Sequence, residues 1–162
     1  MRALTQEAVQ KISSGQVITC VLDVIKELIE NSLDAQAKTI KIKIEDQGLQ
    51  SITVVDDGTG ITQEGRETCG HAYTTSKITE IDDLRNQLTT YGFRGEAIHS
   101  LCVLGDVTIT TRCADEDQAI KMKFNHDGVI TSKEKTFGTI GTTVIVEHIL
   151  SDYPLELLHY YI

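Results

Sequence analysis

The sequence predicts an α/β protein, a two-layer sandwich in which a mixed β-sheet carries helices on one face. Three observations lead to this fold class. A length of 162 residues with a single proline fits one domain. An apolar period typical of a helix comes early in the chain, and alternating apolar residues typical of strands cluster late. This order favours a sandwich over a doubly wound parallel sheet, in which strands and helices would alternate.

The first predicted element is a helix over residues 17–33. Its apolar residues recur at intervals of three and four: Val17, Val21, Val24, Ile25, Leu28 and Ile29. Glu27, Asn31 and Asp34 lie four and three residues apart, so they share one face, predicted to be opposite the apolar stripe. An amide oxygen suits Mg²⁺, and a carboxylate one turn away can take a proton from an attacking water. The alternative interpretation is a solvated acidic face.

A pair of strands is predicted next, over residues 39–45 and 51–55, with a turn at 46–48. Asp56, Gly58 and Gly60 follow the second strand directly. A carboxylate held at the end of a strand could bind the exocyclic amine of adenine, and glycines let the backbone approach a flat ligand closely. An ordinary Asp-Gly turn is the alternative interpretation.

Residues 56–95 form a long stretch rich in Gly, Thr and Asp, with short helices predicted over 63–69 and 79–84. Long ordered loops are usually functional. Hydroxyl groups, a cation and glycine-flanked residues precede a helix predicted over 96–104, where exposed N–H groups can bind phosphates. The candidate phosphate-binding residues are Thr75, Ser76, Lys77, Gly92, Phe93, Arg94 and Gly95. The alternative for the two cations is a solvated surface position.

The last third of the chain completes the predicted sheet. Strands are predicted over residues 107–112, 119–125, 129–135 and 142–148. The sequence Asn-His-Asp-Gly at 125–128 predicts a hairpin turn, because Asn, Asp and Gly tolerate positive φ. The chain has neither the P-loop motif nor the dinucleotide-binding glycine motif, so any bound phosphate must be held in another way.

Composition excludes several function classes. Fifteen basic against twenty-four acidic residues give a net charge of −9, so this chain should bind DNA weakly or not at all. The four cysteines form no Cys-x-x-Cys pair, which is typical of reduced thiols in an intracellular protein. No segment approaches the roughly 18 apolar residues that a membrane span needs, so no membrane association is expected.

Five motifs, taken in order, resemble the MutL family of DNA mismatch repair proteins. They are KELIENSLDA at 26–35, DDGTGI at 56–61, TTSKI at 74–78, TTYGFRGEAI at 89–98 and GTTV at 141–144. The family lies in the GHKL group of ATPases, with gyrase, the Hsp-ninety chaperones and histidine kinases. The resemblance extends over residues 13–150 and implies a Bergerat-type α/β sandwich that binds ATP and Mg²⁺.

The resemblance also implies a role for each matching residue. It makes Glu27 the general base, Asn31 the magnesium ligand and Asp56 the residue that reads adenine. The other residues implied to bind ATP are Asp34, Gly58, Gly60, Thr75, Ser76, Lys77, Gly92, Phe93, Arg94, Gly95, and Thr142 or Thr143. Among these, Lys77 and residues 92–95 correspond to the family's phosphate-covering lid.

Departures from the family pattern refine the assignment. Residues 15–21 lack the family's acid, arginine and proline, as in the eukaryotic PMS branch. Gln36 replaces a glycine, at an expected cost of about 1 kcal/mol in a left-handed conformation. We expect an ATP-binding domain over residues 1–150 and a divergent tail over 151–162. Relative to the family, the chain stops before a second subdomain that supplies a lysine to the γ-phosphate, so any hydrolysis should be slow.

Family membership further implies partners and a location. An MLH-type subunit would form a heterodimer, through regions absent from this chain, and a MutS-type complex would recognise the mismatch. DNA contact is expected in the full-length protein, and the location is expected to be the nucleus. The alternative function is a non-catalytic interaction subunit or a truncated isoform without its own ATPase activity, which the shortness of the chain and its apolar tail would favour.

Overall fold

The computed structural model describes residues 21–70 and 97–149. Within them, the helices are α1 (Val21–Asp34), α2 (Gln63–Thr68) and α3 (Ala97–Leu104). The strands are β1 (Ile40–Glu45), β2 (Ser51–Asp56), β3 (Asp106–Arg112), β4 (Ala119–Phe124), β5 (Ile130–Thr136) and β6 (Gly141–Glu147). These elements confirm the predicted ones to within a few residues. Residues 17–20, the helix predicted over 79–84, the expected domain boundary at 150 and the tail lie outside the described residues.

The six strands form one sheet in the order β1-β2-β6-β3-β4-β5. The sequence predicts a mixed sheet, but each pairing within the described residues is antiparallel. The reason is that three of these pairs are joined by short connections, which reverse the chain and cannot link parallel strands. Strand β6 inserts between β2 and β3, so Thr142 lies opposite both Asp56 and Thr111.

The hydrophobic core lies between the sheet and two helices. It combines alternate residues of the strands with the inner faces of α1 and α3. Its most buried members include Val24, Leu28, Ile52, Val54, Leu101, Cys102, Ile109, Met122 and Val146. Because both helices join the same core, the predicted sandwich with helices on one face of the sheet is confirmed. In the described part of the chain no helix is long and apolar enough to span a membrane.

Helix α1 places the acidic residues differently from the prediction. Its buried residues are Val21, Val24, Leu28 and Ser32. Glu27, Asn31 and Asp34 are half-buried rather than fully solvated. At about 100° per residue, these three positions flank the buried stripe instead of lying opposite it. They therefore lie beside the face of the helix that packs on the sheet.

Helix α1 ends in a Schellman motif. The N–H of Gln36 donates to the carbonyl of Leu33 at 2.9 Å, and the N–H of Ala37 donates to the carbonyl of Ser32 at 3.1 Å. This motif places the residue after the helix in the left-handed region, and Gln36 has φ of 60°. The strain expected from the missing glycine is therefore present, and the loop is not rebuilt to avoid it.

Replacing Gln36 by glycine should stabilise the domain. Relief of the left-handed strain should raise the free energy of unfolding by about 1 kcal/mol, or the melting temperature by roughly 2–4 °C. Chemical denaturation measures this change. Gln118 is the matched control, because it is exposed and has no positive φ, so Gln118→Gly should destabilise the protein. An unchanged or lowered stability of Gln36→Gly would contradict the prediction.

Strands β1 and β5 are the two outer strands of the sheet. Each carries alternating charged residues that are largely exposed, including Lys41 and Lys43 on β1 and Lys133 and Lys135 on β5. The lysines on these strands are thus solvated.

Candidate nucleotide-binding site

Asp56 lies at the end of β2 and is buried, with 8% of its surface exposed. Its Oδ1 atom accepts hydrogen bonds from the backbone N–H groups of Gly58 at 2.9 Å and Thr142 at 3.2 Å. Its Oδ2 atom accepts from the hydroxyl of Ser32 at 3.0 Å. Because a carboxylate has about four acceptor positions, one position is left for a ligand. The structure thus holds Asp56 rigidly as a hydrogen-bond acceptor.

Ser32 links the end of α1 to the end of β2. Its hydroxyl lies 3.0 Å from both Asp56 Oδ2 and the carbonyl of Leu28, and its single proton can satisfy either acceptor. Sequence reasoning missed this residue. A signal was present, because Ser32 follows Leu28 by four residues and therefore continues the apolar stripe as a polar residue.

Two glycines of the DDGTGI motif are required by close packing. A Cβ atom on Gly58 would lie 2.7 Å from the carbonyl oxygen of Ala35 and 3.0 Å from Asp56 Oδ1. Gly60 has φ of 76°, and a Cβ there would collide with the carbonyl of Arg112. Both glycines therefore let the loop pass between the end of α1 and the end of β3, in direct contact with Asp56.

Thr111 joins three segments at the same end of the sheet and is only 1% exposed. Its hydroxyl accepts from the N–H of Ile61 at 2.8 Å. The same oxygen lies 3.1 Å from the carbonyl of Gly141 and 3.1 Å from the hydroxyl of Thr142. By the alternation of β6, the side chain of Thr143 points to the opposite face of the sheet. The arrangement therefore favours Thr142 over Thr143 as the threonine near the ligand.

Asp57 holds the backbone that leads into β1. Its Oδ1 atom accepts from the N–H groups of Lys38 at 2.7 Å and Thr39 at 2.8 Å, just before β1. The hydrogen bond from the Thr39 N–H has the largest effect, followed by that from Lys38, and together they lower the pKa of Asp57 below its usual value. Of the two adjacent aspartates, Asp57 thus holds the start of β1, and Asp56 faces the site.

The residues of α1 suit a magnesium ion that is shared with a phosphate. Asn31 supplies a neutral amide oxygen, with the carboxylate of Glu27 one turn earlier and that of Asp34 one turn later. The described residues contain no group of three or more His, Cys, Asp or Glu side chains that could enclose a metal. Magnesium commonly takes few protein ligands and completes its shell with waters and phosphate oxygens, so this donor set fits it.

A buried ion pair holds the loop that follows the glycines. The guanidinium of Arg66, 4% exposed, pairs with both carboxylate oxygens of Glu116, and its Nη1 atom also donates to the carbonyl of Ile61 at 3.0 Å. Glu116 also accepts from the N–H of Cys113 at 2.9 Å. The bonds from Arg66, followed by that from Cys113, lower the pKa of Glu116 to about 2.

Removing the charge of Glu116 should destabilise the domain. Glu116→Gln leaves the guanidinium of Arg66 buried and poorly paired, which should lower the free energy of unfolding by about 2–3 kcal/mol. The loss is smaller than for a fully buried pair because Glu116 is 26% exposed. Since the folded-state pKa lies below the ordinary 4.5, the pair stabilises the protein above that pH and loses its effect as the pH falls towards 2.

Urea denaturation from about pH 6 down to about pH 3.5 checks this expectation. The wild type should lose more stability on acidification than Glu116→Gln, which lacks the titrating group. Glu134→Gln is the control, because that residue pairs with Lys121 at 3.9 Å on the exposed surface. Equal acid sensitivity of the wild type and Glu116→Gln would contradict the prediction.

The predicted phosphate-binding segments lie outside the described residues. These candidates are Thr75, Ser76, Lys77, Gly92, Phe93, Arg94 and Gly95. Of the remaining predicted site residues, Asp56, Gly58, Gly60 and Thr142 lie together at the end of the sheet where β2 and β3 end and β6 begins.

Comparison with known proteins identifies the family. Residues 18–150 match the family described as histidine kinase-, DNA gyrase B- and HSP90-like ATPases. The chain belongs to this ATPase family. Its predicted membership of the GHKL group, and with it the Bergerat-type sandwich, is therefore confirmed.

The curated relatives of this chain include mismatch repair proteins. It is 43% identical over 156 residues to DNA mismatch repair protein PMS1 of Arabidopsis thaliana, covering 96% of this chain and 17% of that protein. It is 41% identical over 156 residues to mismatch repair endonuclease PMS2 of Homo sapiens, covering 96% of this chain and 18% of that protein. The predicted resemblance to the PMS branch is confirmed, and the chain spans less than a fifth of either relative.

Solved structures support the same fold for the ATPase domain. The crystal structure of the N-terminal domain of a DNA repair protein matches with a TM-score of 0.75 and 36% identity, over 94% of this chain and 42% of that one. An Aquifex aeolicus MutL ATPase domain complexed with ADP matches with a TM-score of 0.57 and 24% identity, over 83% of this chain and 44% of that one. At that identity the second match supports the fold alone.

Proposed function

We propose that this chain is the ATP-binding and ATP-hydrolysing part of a MutL-type DNA mismatch repair protein. The observation that carries the proposal is the buried acceptor Asp56, which the end of α1, the glycine loop and β6 all hold in place. The family match and the mismatch repair relatives support the same assignment.

Adenine recognition depends on Asp56. Its remaining acceptor position accepts a hydrogen bond from the exocyclic amine of the base. Gly58 and Gly60 bring the loop backbone close to the strand end, where a flat ring can lie. Thr142 adds a hydroxyl beside the carboxylate, on the same face of the sheet.

Hydrolysis depends on the half-buried face of α1. Asn31 would hold Mg²⁺, which would offset phosphate charge, and Asp34, one turn later, contributes to ATP binding. Glu27, one turn before Asn31, orients a water and takes its proton as the water attacks the γ-phosphate. Thr75, Ser76, Lys77 and residues 92–95 contact the phosphates and cover them.

The larger repair role involves partners. Closure over ATP signals to an MLH-type subunit and to a MutS-type complex, and the full-length protein contacts DNA in the nucleus. Mismatch repair relatives support this role. The net charge of −9 supports weak or absent DNA binding by the chain itself.

Calorimetric titration of the 162-residue chain with ATP and Mg²⁺ tests the proposal. Heat of binding that saturates near one nucleotide per chain, and that weakens when Mg²⁺ is chelated, is the expected result. Absence of heat, together with an unchanged melting temperature at millimolar nucleotide, would favour the non-catalytic interaction subunit instead.

A further inference from the structure

Thr111 is a polar residue at the end of the sheet that none of the five motifs includes. It lies on β3, its side chain is 1% exposed, and its hydroxyl touches three groups. Two other threonines of β3, Thr110 and Thr108, lie one and three residues before Thr111. Because side chains alternate along a strand, both point to the opposite face of the sheet. Thr111 is therefore the residue of this strand that bonds to the site.

The hydrogen-bond directions at Thr111 follow from counting protons. A hydroxyl has one proton to donate and two lone pairs to accept with. The N–H of Ile61 can only donate and the carbonyl of Gly141 can only accept. The one assignment that satisfies all three contacts gives the Thr111 proton to Gly141. The hydroxyl of Thr142 must then donate its own proton to Thr111.

This assignment decides what Thr142 offers to a ligand. Its proton is used inside the protein, so its hydroxyl presents lone pairs alone. Asp56, whose Oδ1 atom accepts from the N–H of Thr142, presents a further lone pair next to it. The base therefore meets two neighbouring acceptors. An amine with two N–H donors complements them, directly or through a water, whereas a keto oxygen faces lone pairs and is disfavoured.

We infer that Thr111 is a specificity-determining residue, which orients the Thr142 hydroxyl as an acceptor and so selects 6-amino purine nucleotides over 6-keto ones. The inference deepens the proposed function and depends on it. Thr111 acts through Thr142 and touches no ligand itself. Without the Thr111 hydroxyl, Thr142 can turn its proton outwards and donate it to a keto oxygen.

The test compares affinities for ATP and ITP, which differ at the 6-position of the purine, by calorimetry with Mg²⁺. Wild type should prefer ATP by at least about tenfold, the value of one good hydrogen bond. Thr111→Val should lower this ratio about tenfold, mainly by gaining ITP affinity. Thr111→Ser keeps the hydroxyl and should retain the wild-type ratio. Thr110→Val, on the opposite face, is the matched control.

A second variant keeps the inference testable if Thr111→Val fails to fold. Thr142→Val removes the acceptor itself and should also lower the ATP-to-ITP ratio. Adding Thr111→Val to it should cause no further loss, because both substitutions act through one hydroxyl. An unchanged ratio in Thr142→Val or Thr111→Val would overturn the inference alone. Wild-type binding of ATP without preference over ITP would overturn both the inference and the recognition of the exocyclic amine by Asp56, while leaving nucleotide binding in place. Failure of the wild type to bind ATP would instead remove the proposed function.

Discussion

Asp56→Asn should lose nucleotide binding by at least about thirtyfold while remaining folded. The amide oxygen of the variant can still accept from Gly58 and Thr142, and Ser32 can turn its proton to the carbonyl of Leu28, 3.0 Å away. The amide nitrogen then presents a donor where the exocyclic amine needs an acceptor. Calorimetry with ATP measures the lost affinity, and thermal denaturation shows whether the fold survives.

Asp57→Asn is the matched control for this variant. Asp57 is adjacent in sequence but exposed, and its carboxylate bonds to the backbone before β1 rather than facing the site. We expect lower stability with nucleotide affinity close to that of the wild type. If both asparagine variants weakened ATP binding equally, the assignment of Asp56 as the residue that reads adenine would be wrong.

Glu27→Gln should reduce the ATP hydrolysis rate of the chain by about a hundredfold or more, the usual contribution of a general base. Glutamine keeps the size and polarity of the side chain but cannot take a proton at neutral pH. Nucleotide affinity should change by less than about threefold, because the carboxylate acts mainly in the transition state. Single-turnover phosphate release measures the first quantity, and calorimetry measures the second.

Glu30→Gln serves as the control on the same helix. Glu30 lies three residues after Glu27, and its carboxylate pairs with Lys26 at 3.8 Å rather than lying one turn before Asn31. Its substitution should leave the hydrolysis rate unchanged. A rate for Glu27→Gln equal to that of Glu30→Gln would show that Glu27 is not the general base.

Local patterns predicted the elements of the fold well. The three-and-four spacing of α1 and the two-residue alternation of the strands each depend on residues close in sequence. The strand order was not predicted, because the residues of β6 pair with residues of β2 and β3 that lie at least 29 positions earlier in the chain. Strand alternation shows which face is buried but does not show which strand lies next to it.

The candidate site divides in the same way. Asp56, Gly58 and Gly60 stand in one short motif and could be predicted together. The roles of Thr111 and of the Arg66–Glu116 pair could not be predicted. Fifty residues of sequence separate Thr111 from Ile61, and fifty separate Glu116 from Arg66. Arg66 also lies in a short polar helix, where a cation is ordinarily solvated, and only the tertiary fold shows that it is buried.

The charged outer strands of the sheet affect how copies of the domain meet. An outer strand carries unpaired backbone donors and acceptors that a second molecule could use to extend the sheet. Two copies of β5 brought edge to edge would place Lys133 and Lys135 of each molecule near those of the other. Like-charge repulsion then opposes strand addition, so the same lysines that remain solvated in one molecule protect the domain from aggregating through its sheet.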